Sequence, residues 1–426
     1  MKILLKNGTV IDPSSGIGGI QDVLIENGLI KGLDLNINSD NSEIIDCTDK
    51  VVCPGFIDLH VHLREPGDEH KETVVTGTKA AVAGGFTTIC CMPNTKPPLD
   101  SHASMHFIRG MADKFGSCDV KPIGAVSVGM NNEQLTEMVT MKNAGAIAFS
   151  DDAFPIQSNG FMRRVFEYSL ACDAPIALHC EDQTLTEDGS MHEGKVSMSL
   201  GLRGMPEAAE TLHVMRALEL AKLTKAHVHI LHVSCAESAS LILRAKEDGV
   251  RVTSEVCPHH LISTETDVGE YNTNAKMSPP LRTVKDVTGL REALLDGILD
   301  CIATDHAPHS IEEKEVEFDS APFGIVGLET AFGILMTELV HTGVMSLSQL
   351  IERLTTKPAQ CFNIDKGTLH KNSIADITIV DPNSNWTVNS KLFESKGKNT
   401  LYEGKKLRGR VIKCISEGQI VYSAER

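Results

Sequence analysis

The sequence has no apolar run of membrane-spanning length, no excess of positive charge, no CxxC pair and no low-complexity linker, and each lack excludes a class of protein. Without about 20 consecutive apolar residues, no segment is expected to cross a bilayer. The opening Met1-Lys2-Ile3-Leu4-Leu5-Lys6-Asn7-Gly8 is broken by polar residues and glycine before a secretory h-region could form. A formal net charge of −17 would repel phosphate backbones and anionic lipid, so neither nucleic acid nor a membrane surface is an expected partner. An anionic substrate would then need a local cluster of positive groups. The 12 cysteines are scattered, which points to reduced thiols in the cytoplasm rather than a disulfide framework.

What is present suffices for a sizeable core: 426 residues, 41% hydrophobic and 23% charged, fit one large domain plus a smaller one. Residues 1–53 carry short β-like pieces at 2–5, 22–26 and 43–46, broken by Asn-Gly and Pro-Ser-Ser-Gly turns. From Pro54 the pattern becomes apolar strand, polar turn, amphipathic helix, repeated. Strands are expected at 55–62, 86–92, 120–126, 146–150, 175–179, 228–233, 250–255 and 300–303, with helices such as 207–223 and 236–248 between them. Roughly eight β/α units in about 300 residues is the arithmetic of a closed parallel (β/α)8 TIM barrel rather than an open sheet. Beyond residue 363 the β character returns, at 373–380 and 410–422. The fold class is therefore α/β, with a barrel over 54–362 and a small β-sandwich built from both chain ends, 1–53 and 363–426.

Within Phe56-Ile57-Asp58-Leu59-His60-Val61-His62-Leu63-Arg64, an apolar strand ends in two histidines two residues apart. Alternation puts His60 and His62 on one face, where two imidazoles can grip one divalent cation with Arg64 beside them as an anion handle. Alone, an HxH is better explained as a polar pair at a strand terminus. In a parallel barrel, however, all strand C-termini share one mouth. The expected ends also carry Asp151 and Asp152, His179, His232, and Asp305 with His306 and His309. Taken jointly, these predict a metal-hydrolase centre. His102, His106, His213, His341 and His370 fall on expected helices or the β flank and are read as surface or packing residues. His227 and His229 lie in opposite register to His232 and are expected to face the helix layer.

HVHLREPG (60–67), CMPNT (91–95), AFSDDA (148–153), LHCED (178–182), ILHVS (230–234), ATDHAPH (303–309) and APFGIVGLET (321–330) resemble the amidohydrolase superfamily. Within it they resemble the dihydroorotases of the long bacterial type, over essentially the whole chain. That resemblance implies two zinc ions, one held by His60, His62 and Asp305 and the other by His179 and His232, with Asp152 between them. Many relatives bridge with a carboxylated lysine, but the fourth strand here ends in Ser150-Asp151-Asp152. Sequence alone does not say which of the two carboxylates points inward; the resemblance favours Asp152. It further implies Asp305 as proton carrier in the reversible cyclisation of N-carbamoyl-L-aspartate to L-dihydroorotate plus water, a step of pyrimidine biosynthesis.

Arg64, Asn94 and His309, with His62 nearby, resemble the family's clamp for the substrate's free carboxylate. Backbone groups near Phe323 and Gly324 would meet the pyrimidine edge. One departure is Ser278 in Lys276-Met277-Ser278-Pro279-Pro280-Leu281-Arg282, where such enzymes often carry asparagine. A serine there also resembles hydantoinase-type relatives, so allantoinase or dihydropyrimidinase is the alternative activity. A non-catalytic partner of aspartate carbamoyltransferase is a third reading, against which the complete ligand set argues. Self-association and docking to that transferase are both compatible with a catalytic chain. The acidic segment 311–319 after DHAPH is a candidate lid.

Overall fold

The computed structural model describes residues 2–38 and 40–424. The N-terminal flank holds β1 (Lys2–Asp12), β2 (Ile17–Glu26), β3 (Leu29–Asp34), β4 (Glu43–Asp46) and β5 (Val51–Pro54). Five parallel strands follow: β6 (Phe56–Val61), β7 (Phe86–Cys91), β8 (Asp119–Gly124), β9 (Ala148–Phe149) and β10 (Ile176–Leu178). A short ribbon, β11 (Met191–His192) and β12 (Gly204–Met205), precedes β13 (Val228–Ile230), β14 (Val252–Val256) and β15 (Cys301–Ile302). All eight expected barrel strands are present, in the order β6-β7-β8-β9-β10-β13-β14-β15. Helices including Glu207–Thr224 and Ala236–Glu247 lie between them. Among the described residues no helix is long and apolar enough to cross a membrane.

The barrel closes without a regular ladder between its first and last strands. The His62 amide donates to the His306 carbonyl at 2.9 Å. The buried Asp58 carboxylate accepts the Thr304 amide at 3.1 and 3.2 Å. A side chain thus completes the backbone pairing that the short β15 leaves unmade. Inside, Ile57, Leu59, Cys90, Ile123, Ala148, Ala177, Leu231 and Cys301 pack against Ala359, Cys361 and Phe362 of the helix Thr356–Phe362. This is a filled core, not a pore, so chemistry is confined to the mouth.

The structure corrects one register expectation. Val228 and Ile230 belong to the core shared with the helix layer, while His229 points into the barrel, its ring 5.0 Å from that of Phe362. His227 and His229 both reach the hydroxyl of Thr253, at 3.1 and 2.8 Å. Strict alternation to His232 assumed a strand running to Val233. The strand stops at Ile230, and His232 adopts φ +31°, which breaks the alternation. His213 is buried packing, bonded to the Ile156 carbonyl at 3.1 Å.

After the barrel come β16 (Ile377–Thr387), β17 (Lys406–Ser416) and β18 (Gln419–Ser423). They join the N-terminal strands in one mixed sheet, ordered β18-β17-β16-β5-β1-β2-β3, with β4 also on β1. An irregularity in β1 between Leu5 and Gly8 lets its first half pair with β4 and its second half with β5. The expected sandwich is therefore one continuous sheet bent around a core of Ile3, Val23, Ile30, Ile377, Ile379 and Ile415. Its turns meet at Gly28 and Gly418, both at positive φ, where a Cβ on Gly418 would lie 2.6 Å from the Gly28 Cα.

Candidate metal centre

Strand ends bring six candidate ligands together. His60 Nε2 lies 3.4 Å from an Asp152 oxygen and 3.3 Å from Asp305 Oδ1. His62 Nε2 lies 3.1 Å from Asp305 Oδ1 and 3.7 Å from Asp152 Oδ2. Ligands about 2.0–2.1 Å from a tetrahedral ion stand roughly 3.3 Å from one another, which is the spacing found here. His60 Nε2 is buried and makes no hydrogen bond, as a lone pair reserved for a cation would be. His179 Nδ1 faces His232 Nε2 at 2.9 Å, and the His232 ring centroid is 5.2 Å from that of His60. Asp152, His232, Asp305 and Arg64 all have positive φ, between 31° and 60°. Such backbone is costly for these residue types and turns their side chains into the mouth.

The charges suit a cation. Burial opposes ionisation of Asp152, but His62 and His60 hold its carboxyl well below the usual range. Burial, with His179 and His60 nearby, holds His232 well below an ordinary imidazole, leaving it neutral and able to donate a lone pair. Asp151 differs from its neighbour: it accepts the Val126 and Ser127 amides at 2.9 and 3.2 Å and the Ser127 hydroxyl, and burial pushes it up to about 6. Asp152 is thus the carboxylate that meets the imidazoles. His306, also at a strand end, instead faces Glu72 at 3.4 Å and takes the Gly327 amide at 3.2 Å.

Behind the ligands stand acceptors that the sequence reading passed over. Glu255 is fully buried and bonds His60 Nδ1 at 2.8 Å and His229 Nε2 at 3.1 Å. Burial works against its charge, yet the bonds from His229 and His60 hold it at about 2. Glu181 bonds His179 Nε2 at 3.2 Å. Both positions carried a signal: Glu255 closes the seventh expected strand, and Glu181 belongs to LHCED. Asn399 carried none, since it comes from the loop between β16 and β17. It nevertheless bonds Ala307, His309 and Gly324 main-chain groups at 3.0–3.1 Å, bracing the mouth from the C-terminal flank.

The candidate substrate contacts are also gathered here. Arg64 Nε donates to the Pro308 carbonyl at 3.2 Å, with a terminal nitrogen 3.5 Å from His309 Nε2. His309 Nε2 is 2.9 Å from the Phe323 carbonyl; burial and the Arg64 charge press its pKa down to about 3. The Gly324 amide donates to the Lys276 carbonyl at 2.9 Å. Asn94 links the Asp152 carboxylate, at 2.6 Å, to His62 Nδ1, at 3.0 Å. Ser278 donates to Glu181 at 3.1 Å. The segment read as a lid is tied down: Lys314 is buried, with bonds to the Thr273 and Pro322 carbonyls, and Glu313 pairs with Lys71 at 2.8 Å.

The chain is 49% identical to the dihydroorotase of Caldanaerobacter subterraneus subsp. tengcongensis over 428 residues, covering 100% of this chain and 98% of that one. It belongs to the dihydroorotase family. The dihydroorotase of Pelotomaculum thermopropionicum is likewise 49% identical, over 99% of this chain and 98% of its own. A family model described as dihydro-orotase-like matches residues 49–238. Among solved structures, the L-hydantoinase (dihydropyrimidinase) of Arthrobacter aurescens matches with a TM-score of 0.90 at 26% identity, over 100% of this chain and 96% of that one. The dihydropyrimidinase of Brevibacillus agri NCHU1002 matches at 0.87 and 27%, over 99% and 95%. These neighbours share the amidohydrolase barrel; membership of the dihydroorotase family makes this chain a cyclic amide hydrolase.

Proposed function

We propose that this chain interconverts N-carbamoyl-L-aspartate and L-dihydroorotate, with His60, His62, Asp152 and Asp305 around one zinc and His179 and His232 completing a second. The observation that carries the reading is the approach of Asp305 and Asp152 to Nε2 of His60 and of His62 at 3.1–3.7 Å, beside a guanidinium. Zinc bound there would supply Lewis acidity, making water nucleophilic near neutral pH and polarising the amide carbonyl.

Asp305 is the group that moves the proton. Its side chain is 12% exposed against 4% for Asp152, so it alone of the two carboxylates opens toward the mouth. In ring opening it takes the proton of the attacking water and passes it to the departing ring nitrogen; in ring closure the same steps run backwards. Arg64, with a terminal nitrogen 3.5 Å from His309 Nε2, offers its guanidinium to the substrate's exocyclic carboxylate, with Asn94 and His309 flanking it. Main-chain groups at Phe323 and Gly324 hold the ring edge, and Asn399 keeps that loop in place. A carboxylate clamp favours dihydroorotate over hydantoin or allantoin, which lack that group.

Assay of the purified protein against dihydroorotate, hydantoin and allantoin, before and after chelation, tests this. Turnover of dihydroorotate that chelation abolishes and zinc restores is expected; turnover of hydantoin alone refutes it. The proposal places the enzyme in the cytoplasm, supported by twelve cysteines that are all unpaired. Size-exclusion chromatography with and without aspartate carbamoyltransferase distinguishes a self-contained enzyme from one that also docks the transferase.

A further inference from the structure

The ligand histidines are not held alike. The second ring nitrogen of His60 is bonded by Glu255, that of His62 by Asn94 and that of His179 by Glu181, whereas His232 Nδ1 is buried without a partner. Glu255 is fully buried, with its oxygens on His60, His229 and the His232 amide. Glu181 differs: its side chain is 16% exposed, and the oxygen that takes His179 Nε2–H at 3.2 Å also takes the Ser278 hydroxyl at 3.1 Å. Its other oxygen is fixed by Thr186 at 2.7 Å.

This arrangement determines the tautomer of His179. With Nε2–H given to Glu181, Nδ1 is an acceptor, and it is Nδ1 that faces His232 Nε2. One carboxylate oxygen therefore serves a candidate ligand of the second metal and a residue of the candidate substrate loop. We propose that Glu181 is a positioning residue that couples occupancy of the substrate loop, through Ser278, to the affinity of the second metal site. Ring atoms that engage Ser278 alter its bond to Glu181, and Glu181 alters how firmly His179 presents Nδ1. By linkage, the bound metal favours substrate by the same factor as substrate favours the metal. The inference rests on the two-metal reading above and adds to it a reason for the serine at 278.

Zinc titration of the demetallated full-length protein against a chromophoric chelator, with and without L-dihydroorotate, tests it without reading turnover. Wild type is expected to bind two zinc ions, the weaker one tightened about tenfold by dihydroorotate. Glu181→Ala should weaken that site by about 10- to 100-fold and leave the tighter one within twofold. Glu181→Gln, which keeps an acceptor for His179, should recover most of the loss. Ser278→Ala should keep two sites but lose most of the tightening, which separates coupling through the loop from direct contact of substrate with metal. Equal affinities in wild type and Glu181→Ala, or full tightening in Ser278→Ala, overturn the coupling alone. Fewer than two zinc ions on wild type overturns the two-metal reading and the coupling with it.

Discussion

Replacing Glu255 by glutamine gives the sharpest test of how the barrel holds its first metal. The carboxylate sits between two imidazoles at 2.8 and 3.1 Å with no exposure to solvent. Glutamine is nearly isosteric, so no cavity opens, but its amide has one oxygen and must turn its NH2 toward one of the two rings. One charge-assisted bond is lost, a change of about 1.5–3 kcal/mol. Because His60 must present Nε2 to the metal, that loss falls on the metal-bound state. At about 1.4 kcal/mol per factor of ten, zinc affinity of the tighter site should drop roughly 10- to 150-fold. The demetallated variant should also unfold more easily than wild type, since a carboxylate whose pKa is held at about 2 stabilises the folded state at neutral pH and its loss leaves two buried imidazoles without their counter-charge. Chelator competition reads the affinity, and urea denaturation of the metal-free protein reads the stability. A variant that binds zinc within twofold of wild type, or whose apo form is as stable as wild type, refutes the reasoning.

Arg64→Lys replaces a fork by a point charge; KM for dihydroorotate should rise about tenfold or more with kcat less affected, and an unchanged KM removes the clamp. Gly84→Ala would place a Cβ 2.2 Å from the Leu328 carbonyl oxygen, so the urea midpoint should fall by an amount equivalent to about 1–3 kcal/mol. Glu329 lines a cavity of about 250 Å³ shared with Trp386, Phe393 and Tyr422, and burial raises its pKa to about 7 despite bonds from the Glu394 and Ser395 amides. The folded state holds this proton more tightly than the unfolded chain between about pH 4.5 and 7, so its penalty on stability grows across that window and is complete above it. Glu329→Gln should therefore raise Tm at pH 8 and do little at pH 5; equal effects at both pH values would contradict the assignment.

The eight strands were legible because each is a short apolar run ending in turn residues, and parallel strands buried on both faces leave that trace in any sequence. Ligand types were legible for a related reason: a parallel barrel converts eight separate strand ends into one rim, so position along the chain stands in for position in space. Three things needed the tertiary structure. The choice of Asp152 over Asp151 depended on a backbone turn at φ +41° that aims one carboxylate at the imidazoles and leaves the other on Ser127. The inward turn of His229 depended on where β13 stops, which alternation cannot supply. The role of Asn399 depended on a loop returning from the far end of the chain to bond Ala307 and Gly324. Local pattern determined which residues could bind a cation. Closure of the barrel decided which of them face one another, because those distances are set by contacts between residues hundreds of positions apart.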